Sequence, residues 1–72
     1  IRFNVIRPGF IDSGFWDYME ESERNQLFEE NKKKIAVNRL GKSEDIAEMA
    51  ASIMMNSFIN GQVIEVDGGQ LP

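Results

Sequence analysis

Few side chains in this sequence could carry chemistry. The chain has no cysteine and no histidine, which removes a thiolate nucleophile, the commonest general base and the commonest zinc ligands. The motif Pro8-Gly9-x-Ile11-x-Ser13 follows an apolar segment. Gly9 permits close approach to the backbone, Pro8 fixes the direction of the chain, and Ser13 offers a hydroxyl. From spacing alone, a turn that leaves a strand, with Ser13 as a helix cap, explains this motif better than a ligand site.

Other polar and aromatic residues also have two interpretations. Asp67-Gly68-Gly69 offers one carboxylate, which is too few ligands for a dedicated cation site, and we expect no metal. The basic run Lys32–Lys34 is typical of the solvated last turn of a helix. Phe15, Trp16 and Met19 could line a substrate pocket, since pockets are rich in apolar and aromatic groups. They could equally pack this segment against a larger domain.

Composition excludes several classes of protein. Lysine and arginine number 8 against 12 aspartates and glutamates, and this net charge of −4 argues against a nucleic-acid partner. No apolar run approaches the roughly 20 residues of a membrane helix. The first residues do not form a secretory signal, so we expect no membrane partner and a cytoplasmic location. Because no initiator methionine is present, we expect the chain to begin within a longer protein.

The elements that must position these residues alternate between strand and helix. We predict a strand over 1–6, a helix over 20–34 capped by Ser22, a helix Ser43–Asn56 capped by Ser43, and a strand over 62–66. The long helical connection predicts that the two strands are parallel. A two-stranded parallel sheet is not stable by itself. The fold class is therefore α/β: a strand–helix–helix–strand part of a parallel sheet, incomplete as a fold on its own.

Three segments in this order resemble the C-terminal part of the short-chain dehydrogenase/reductase family. They read I-R-F-N-V-I-R-P-G-F-I-D-S over 1–13, R-L-G-K-S-E-D-I-A over 39–47 and I-N-G-Q-V-I-E-V-D-G-G over 59–69. The resemblance is weakest over 14–36. It implies that residues 1–72 are the C-terminal part of a single Rossmann-type domain. Within it, 1–13 would be a strand and cofactor loop, 14–36 a substrate lid, and 43–69 a helix and edge strand.

The resemblance implies hydride transfer between NAD or NADP and a small carbonyl or alcohol substrate. Pro8, Gly9, Ile11 and Ser13 match the family's Pro-Gly-x-Ile-x-Thr loop, which would form one wall of the cofactor site. Ile11 would offer backbone groups to the nicotinamide carboxamide, and Ser13 keeps the hydroxyl of the family's threonine without its methyl group. Phe15, Trp16 and Met19 then become candidates for the substrate pocket.

The family's catalytic machinery is missing from these residues. No glycine-rich phosphate loop is present, and the residue four positions after the one tyrosine, Tyr18, is Ser22 rather than the lysine of the family's Tyr-x-x-x-Lys pair. We assign no catalytic residue and expect the isolated chain to be inactive without the remainder of the Rossmann domain. The family resemblance also implies a homo-oligomer interface through Ser43–Asn56 and Gln62–Asp67. The alternative is a free-standing interaction or oligomerisation module without catalysis.

Overall fold

The computed structural model describes residues 1–70, in which parallel strands alternate with helices. In chain order the elements are strand β1 (Val5–Pro8), strand β2 (Ile11–Asp12), a 3₁₀ helix (Phe15–Tyr18), helix α1 (Glu21–Lys32), strand β3 (Gly41–Lys42), helix α2 (Ser43–Met55) and strand β4 (Val63–Val66). The predicted order of strand, helices and strand is confirmed. The short pair β2 and β3 was not predicted.

Strands β1 and β4 lie side by side and parallel, as predicted. Val5 lies opposite Val63, and the register continues to Pro8 opposite Val66. Helix α2 packs on both strands. Along β4, Ile64 and Val66 are half-buried while Val63 and Glu65 are exposed. One face of the strand pair is therefore covered, and the other is open in residues 1–70.

Strand β1 starts later than the predicted range of 1–6. The backbone at Phe3 is bonded to the turn before β4 instead of to a neighbouring strand. Its N–H donates to Asn60 Oδ1 at 3.0 Å, and its carbonyl oxygen accepts from the N–H of Gly61 at 2.8 Å. Regular pairing begins only at Val5, whose N–H donates to the carbonyl of Gln62 at 2.8 Å.

Both predicted helix caps were wrong. Glu20 is the N-cap of α1, and Ser22 lies inside the first turn. Lys42 is the N-cap of α2, and Ser43 is the first helical residue. The carboxylate of Asp45 accepts a hydrogen bond from the N–H of Lys42 at 2.8 Å. This bond from the N-cap backbone to the third helical residue is one half of a capping box.

Helix α2 matches the predicted helix to within one residue, and Ile46, Ala50, Ile53 and Met54 have the spacing of one apolar stripe along a helix. Ile46, Ala50 and Ile53 are half-buried, as the helical spacing requires. Met54 is 75% exposed and does not belong to the stripe. Met49 takes part in its place and is half-buried.

The hydrophobic core of the described residues is small. In residues 1–70, Ile35 alone is buried, at 5% exposure. Many large apolar side chains are exposed, including Ile1, Phe3, Val5, Phe58 and Val63. A parallel sheet normally has helices on both faces, and here α2 covers only one. The architecture is therefore part of a larger α/β sheet, as the sequence predicts.

Candidate functional site

The predicted cofactor loop, Pro8–Ser13, lies at the carboxyl end of β1. The N–H of Gly9 donates to the carbonyl of Val66 at 3.0 Å, so the loop leaves the sheet immediately after the last strand pair. Ligands of open parallel sheets bind beyond the carboxyl ends of the strands. The structure thus places this loop at the end of the sheet where a cofactor would lie.

Gly9 is needed for packing within the chain itself. A Cβ atom at this position would lie 2.6 Å from Cβ and 2.7 Å from Cα of Asp67. It would also lie 2.9 Å from Oε1 of Gln70, which accepts a hydrogen bond from the N–H of Phe10. The close approach predicted for Gly9 is therefore made by the turn after β4.

Ile11 is held on two sides. Strand β2, which it begins, pairs in parallel with β3, with Ile11 opposite Gly41. The N–H of Gly41 donates to the carbonyl of Phe10 at 3.0 Å. The carbonyl of Ile11 accepts a hydrogen bond from Nε1 of Trp16 at 3.1 Å. A carbonyl oxygen has two lone pairs, so this contact leaves one of them for a ligand.

Ser13 is exposed and caps no helix. The N-cap of the 3₁₀ helix is Gly14, at φ 87°, and no side chain donates to or accepts from that helix start. In the part of the chain that the structure describes, the hydroxyl of Ser13 has no hydrogen-bond partner. The alternative interpretation of Ser13 as a cap is therefore wrong, and its hydroxyl is accessible.

The candidate pocket residues differ in their surroundings. Phe15 is 69% exposed, and its ring lies edge-on to that of Trp16, with centroids 5.1 Å apart. Trp16 is half-buried and stacks on Phe10, with centroids 5.1 Å apart and planes 10° apart. Met19 is half-buried at the end of the 3₁₀ helix. Trp16 therefore packs against the loop, whereas Phe15 presents an open aromatic surface.

Phe10 is the aromatic residue that sequence reasoning missed. Besides Trp16, its ring contacts Phe28 of α1 edge-on, with centroids 6.0 Å apart. Such aromatic pairs favour offset-stacked and edge-to-face geometry. Phe10 thus joins the predicted cofactor loop to both helical parts of segment 14–36. Its position directly after Pro8-Gly9 is the signal that could have identified it.

The turn Asp67–Gln70, which we name the carboxyl-end turn, packs against Gly9 of the predicted cofactor loop. The N–H of Gln70 donates to the carbonyl of Asp67, and the N–H of Gly69 donates to Oδ1 of Asp67 at 2.9 Å. Gly68 and Gly69 have φ 63° and 79°, which favour glycine. The carboxylate of Asp67 thus stabilises a turn, consistent with the structural interpretation of this motif. Residues 1–70 contain no group of three or more histidine, cysteine or acidic residues that could hold a metal ion.

A cavity of about 390 Å³ lies between α2 and the loops at the carboxyl ends of the strands. Its lining is mostly apolar and includes Phe10, Ile11, Val37, Met49 and Val66. Arg39 and Asp45 lie at its polar side. This cavity adjoins the predicted cofactor loop, but sequence reasoning did not anticipate the part contributed by Val37 and α2.

Arg39 and Asp45 form a two-pronged ion pair beside this cavity. Nη1 of Arg39 lies 2.9 Å from Oδ2 of Asp45, and Nη2 lies 3.1 Å from Oδ1. The hydrogen bond from Arg39, followed by that from the N–H of Lys42, lowers the pKa of Asp45 from 3.8 to about 2. The same hydrogen bond raises the pKa of Arg39. At neutral pH Asp45 is therefore ionised, and its carboxylate oxygens already accept hydrogen bonds from Arg39 and Lys42. It is a structural group rather than a proton carrier.

A family model described as enoyl-(acyl carrier protein) reductase matches residues 1–70. The 3-oxoacyl-[acyl-carrier-protein] reductase FabG of Chlamydia trachomatis is 41% identical over 71 residues, which cover 96% of this chain and 27% of that protein. A protein of Caenorhabditis elegans named as a probable 2,4-dienoyl-CoA reductase is 36% identical over 73 residues, covering 97% of this chain and 24% of its own length.

A solved structure gives the same result for the fold. The crystal structure of a small-chain dehydrogenase in complex with NADPH superimposes with a TM-score of 0.88 at 32% identity, covering 96% of this chain and 32% of that one. The chain belongs to the short-chain dehydrogenase/reductase family, and its fold is part of a Rossmann-type sheet. It spans about a quarter of the length of the curated relatives it matches.

No helix in the described residues is long and apolar enough to cross a membrane.

Proposed function

We propose that this chain is the C-terminal part of an NAD(P)-dependent oxidoreductase that acts on a small carbonyl or alcohol substrate. The observation that carries the proposal is the Pro8–Ser13 loop at the carboxyl end of a parallel strand, within a chain that matches the family over residues 1–70. When bound, the nicotinamide would give a hydride to a carbonyl or accept one from an alcohol. One similar solved protein is a complex with NADPH, which supports the choice of cofactor.

The donor set of the loop fits a nicotinamide carboxamide. Ile11 contributes a carbonyl with one lone pair still available, and Ser13 contributes a hydroxyl that has no hydrogen-bond partner among residues 1–70. Gly9 and Pro8 hold the loop against the carboxyl-end turn, so these groups are positioned before a ligand arrives. The Ile11 carbonyl and the Ser13 hydroxyl orient the nicotinamide ring, since neither group can transfer a proton to the substrate at neutral pH.

Segment 14–36 forms the substrate side of the site in this proposal. The exposed ring of Phe15 offers an apolar surface, and Trp16 and Met19 lie on the same short 3₁₀ region. Asp17 and Arg24 join this region to α1 through an ion pair at 3.5 Å. An aromatic wall of this kind suits the apolar part of a carbonyl or alcohol substrate.

The isolated chain is inactive in this proposal because it lacks the glycine-rich loop and the Tyr-x-x-x-Lys pair. Ile35 is the one buried side chain among residues 1–70. Such a small core favours the hypothesis that the chain is part of a larger domain over the alternative of a free-standing interaction module. The proposed partner is therefore the remainder of the Rossmann domain. A cytoplasmic location stays a prediction.

We place the homo-oligomer contact on Ser43–Asn56 and Gln62–Asp67. Within the described residues β4 pairs with β1 on one side only, which leaves its other edge open. Met54, Met55 and Val63 are exposed on these segments. A second copy that pairs about a two-fold axis would cover both the edge and these side chains. Sedimentation of the full-length protein tests this contact, since Val63→Asp should dissociate the oligomer and Glu21→Lys on α1 should not.

The activity is tested on the full-length protein that contains this chain. Loss of NAD(P)H absorbance with simple ketones and 3-oxoacyl thioesters should reveal turnover, and the isolated 72-residue chain should show none. Intact-mass measurement of the native protein should give a value several times 8.2 kDa. A full-length protein that binds neither NADH nor NADPH would overturn the proposed function.

A further inference from the structure

Trp16 joins segment 14–36 to the cofactor loop through two different contacts. Its ring stacks on Phe10 at a centroid distance of 5.1 Å, and its Nε1–H donates to the carbonyl of Ile11 at 3.1 Å. The stacking needs only an aromatic ring. The hydrogen bond needs a donor at the indole nitrogen, which phenylalanine lacks.

The backbone of Phe10, which precedes Ile11, is hydrogen-bonded to two other parts of the chain. The N–H of Phe10 donates to Gln70 Oε1 at 2.9 Å, and the carbonyl of Phe10 accepts from the N–H of Gly41 at 3.0 Å. These two bonds hold the two successive peptide groups on either side of Phe10, before Ile11. The bond from Trp16 fixes the carbonyl that follows, and it is the one of these three that segment 14–36 supplies.

We propose that Trp16 is a positioning residue for nicotinamide binding, an inference that rests on the proposed function. By occupying one lone pair of the Ile11 carbonyl, the indole N–H sets the direction of the other lone pair toward a carboxamide N–H donor. A group held in its bound orientation costs less entropy to engage than a mobile one. Residues 14–36 would then contribute to cofactor affinity as well as to the substrate pocket.

The test compares two ligands that differ only in the nicotinamide. In the full-length protein, Trp16→Phe keeps a ring that can stack on Phe10 and removes the indole donor. Calorimetric titration should show about five-fold weaker binding of the preferred dinucleotide, the effect of one ordinary hydrogen bond. Binding of ADP-ribose, or its 2′-phosphate for an NADP enzyme, should be unchanged because the nicotinamide is absent.

Tyr18→Phe is the matched control. It also removes one polar hydrogen from an aromatic side chain of the same 3₁₀ helix, and it should leave both affinities unchanged. Equal weakening of both ligands by Trp16→Phe would show a general disturbance of the fold, and unchanged dinucleotide affinity would show a purely packing role. Either result overturns the inference. The inference is also overturned if the wild-type protein binds the dinucleotide no more tightly than ADP-ribose. If the wild-type protein binds neither ligand, the proposed function itself is overturned.

A second readout uses the unmutated protein. The indole N–H proton of Trp16, followed by nuclear magnetic resonance, should shift when the dinucleotide binds and not when ADP-ribose binds. Identical spectra with both ligands would contradict the inference, whatever the stability of the Trp16→Phe variant.

Discussion

The two turns that flank β4 are built in different ways. The amino-end turn, Ile59–Gln62, leaves open space around Gly61, since an added Cβ atom would meet nothing within 4 Å. In the carboxyl-end turn, a Cβ atom on Gly68 would lie 2.8 Å from side-chain atoms of Ile35 and of Val37. The first turn is therefore open around its glycine, whereas the second is closely packed around Gly68. The tightly packed turn is the one beside the proposed cofactor wall.

This difference indicates where the chain tolerates change. At the amino end, side-chain amides of Asn4 and Asn60 bond the backbone of the opposite segment, and Asn60 is exposed while Asn4 is half-buried. At the carboxyl end, Ile35 is buried against Gly68, and the carbonyl of Gly68 accepts from the N–H of Val37. A side chain added at Gly68 must therefore displace residues 35–37 together with the turn.

The largest expected effect is that of Gly68→Ala. Alanine would have to adopt the left-handed backbone conformation of Gly68, which is unfavourable, and its Cβ would clash with the stiff side chains of Ile35 and Val37. Together these effects should lower the free energy of unfolding by about 2–4 kcal/mol. Gly61→Ala carries a similar backbone penalty without the clash, and should cost about 1 kcal/mol. Urea unfolding of the full-length protein measures both, and equal losses would contradict the contrast between the turns.

Arg2 provides the next largest effect, at the amino end. Its guanidinium lies within hydrogen-bond distance of four carbonyl oxygens at and after the end of α2, those of Ile53, Met54, Asn56 and Ile59 at 3.0–3.2 Å. Arg2→Ala should cost about 1–2 kcal/mol, since a cation at a helix C-terminus is favourable and these bonds are charge-assisted. Arg2→Lys keeps the charge and should lose less. A neutral Arg2→Ala result in the same unfolding measurement would show that water satisfies these carbonyls equally well.

Asp45 should give a smaller effect that depends on pH. Its pKa of about 2 lies below the ordinary value of 3.8, so the folded state binds its proton less readily than the unfolded state. Its stabilisation is therefore full above about pH 4 and is lost as the pH falls from about 4 to about 2. The difference in unfolding free energy between wild type and Asp45→Asn should be largest near neutral pH and shrink through this window. Glu44→Gln, in the same helical turn, is the control and should show less pH dependence.

Arg7 and Glu65 should show the smallest effect. They lie opposite each other on β1 and β4, with Nη1 of Arg7 3.3 Å from Oε1 of Glu65, and both side chains are more than half exposed. A double-mutant cycle with alanine should give a coupling of about 0.5 kcal/mol that falls with added salt. A larger coupling that is insensitive to salt would instead show that the remainder of the domain buries this pair.

Much of the fold could be predicted because its signals are local. The spacing of Ile46, Ala50 and Ile53 located α2 to within one residue. The long connection between β1 and β4 predicted their parallel orientation, whereas the strand predicted over 1–6 stops two residues before Pro8, where β1 ends. The predicted cap residues were wrong because the first backbone hydrogen bond sets where each helix begins. The preference of serine for the cap position is a weaker effect. In α1, the N–H of Arg24 donates to the carbonyl of Glu20 at 2.9 Å, which fixes the start two residues before Ser22.

The candidate site was predictable only in part. The family resemblance predicted a cofactor loop at Pro8–Ser13, and the sequence showed that these residues lack a Tyr-x-x-x-Lys pair. They did not show that Gly9 packs on Asp67, that Trp16 donates to Ile11, or that Met54 is exposed. These contacts depend on which side of a strand or helix a residue finally faces.

The sequence by itself determined the order of the elements and the residues available for chemistry, because helical and strand periodicity and turn propensities act over a few neighbouring residues. Only the tertiary structure decided which groups meet at the carboxyl ends of the strands. Gln70 bonds the backbone of Phe10 from 60 positions away, and Arg2 reaches carbonyls more than 50 positions away. Contacts at such separations are set by how the strands pair and how α2 packs on them, and no local pattern encodes them.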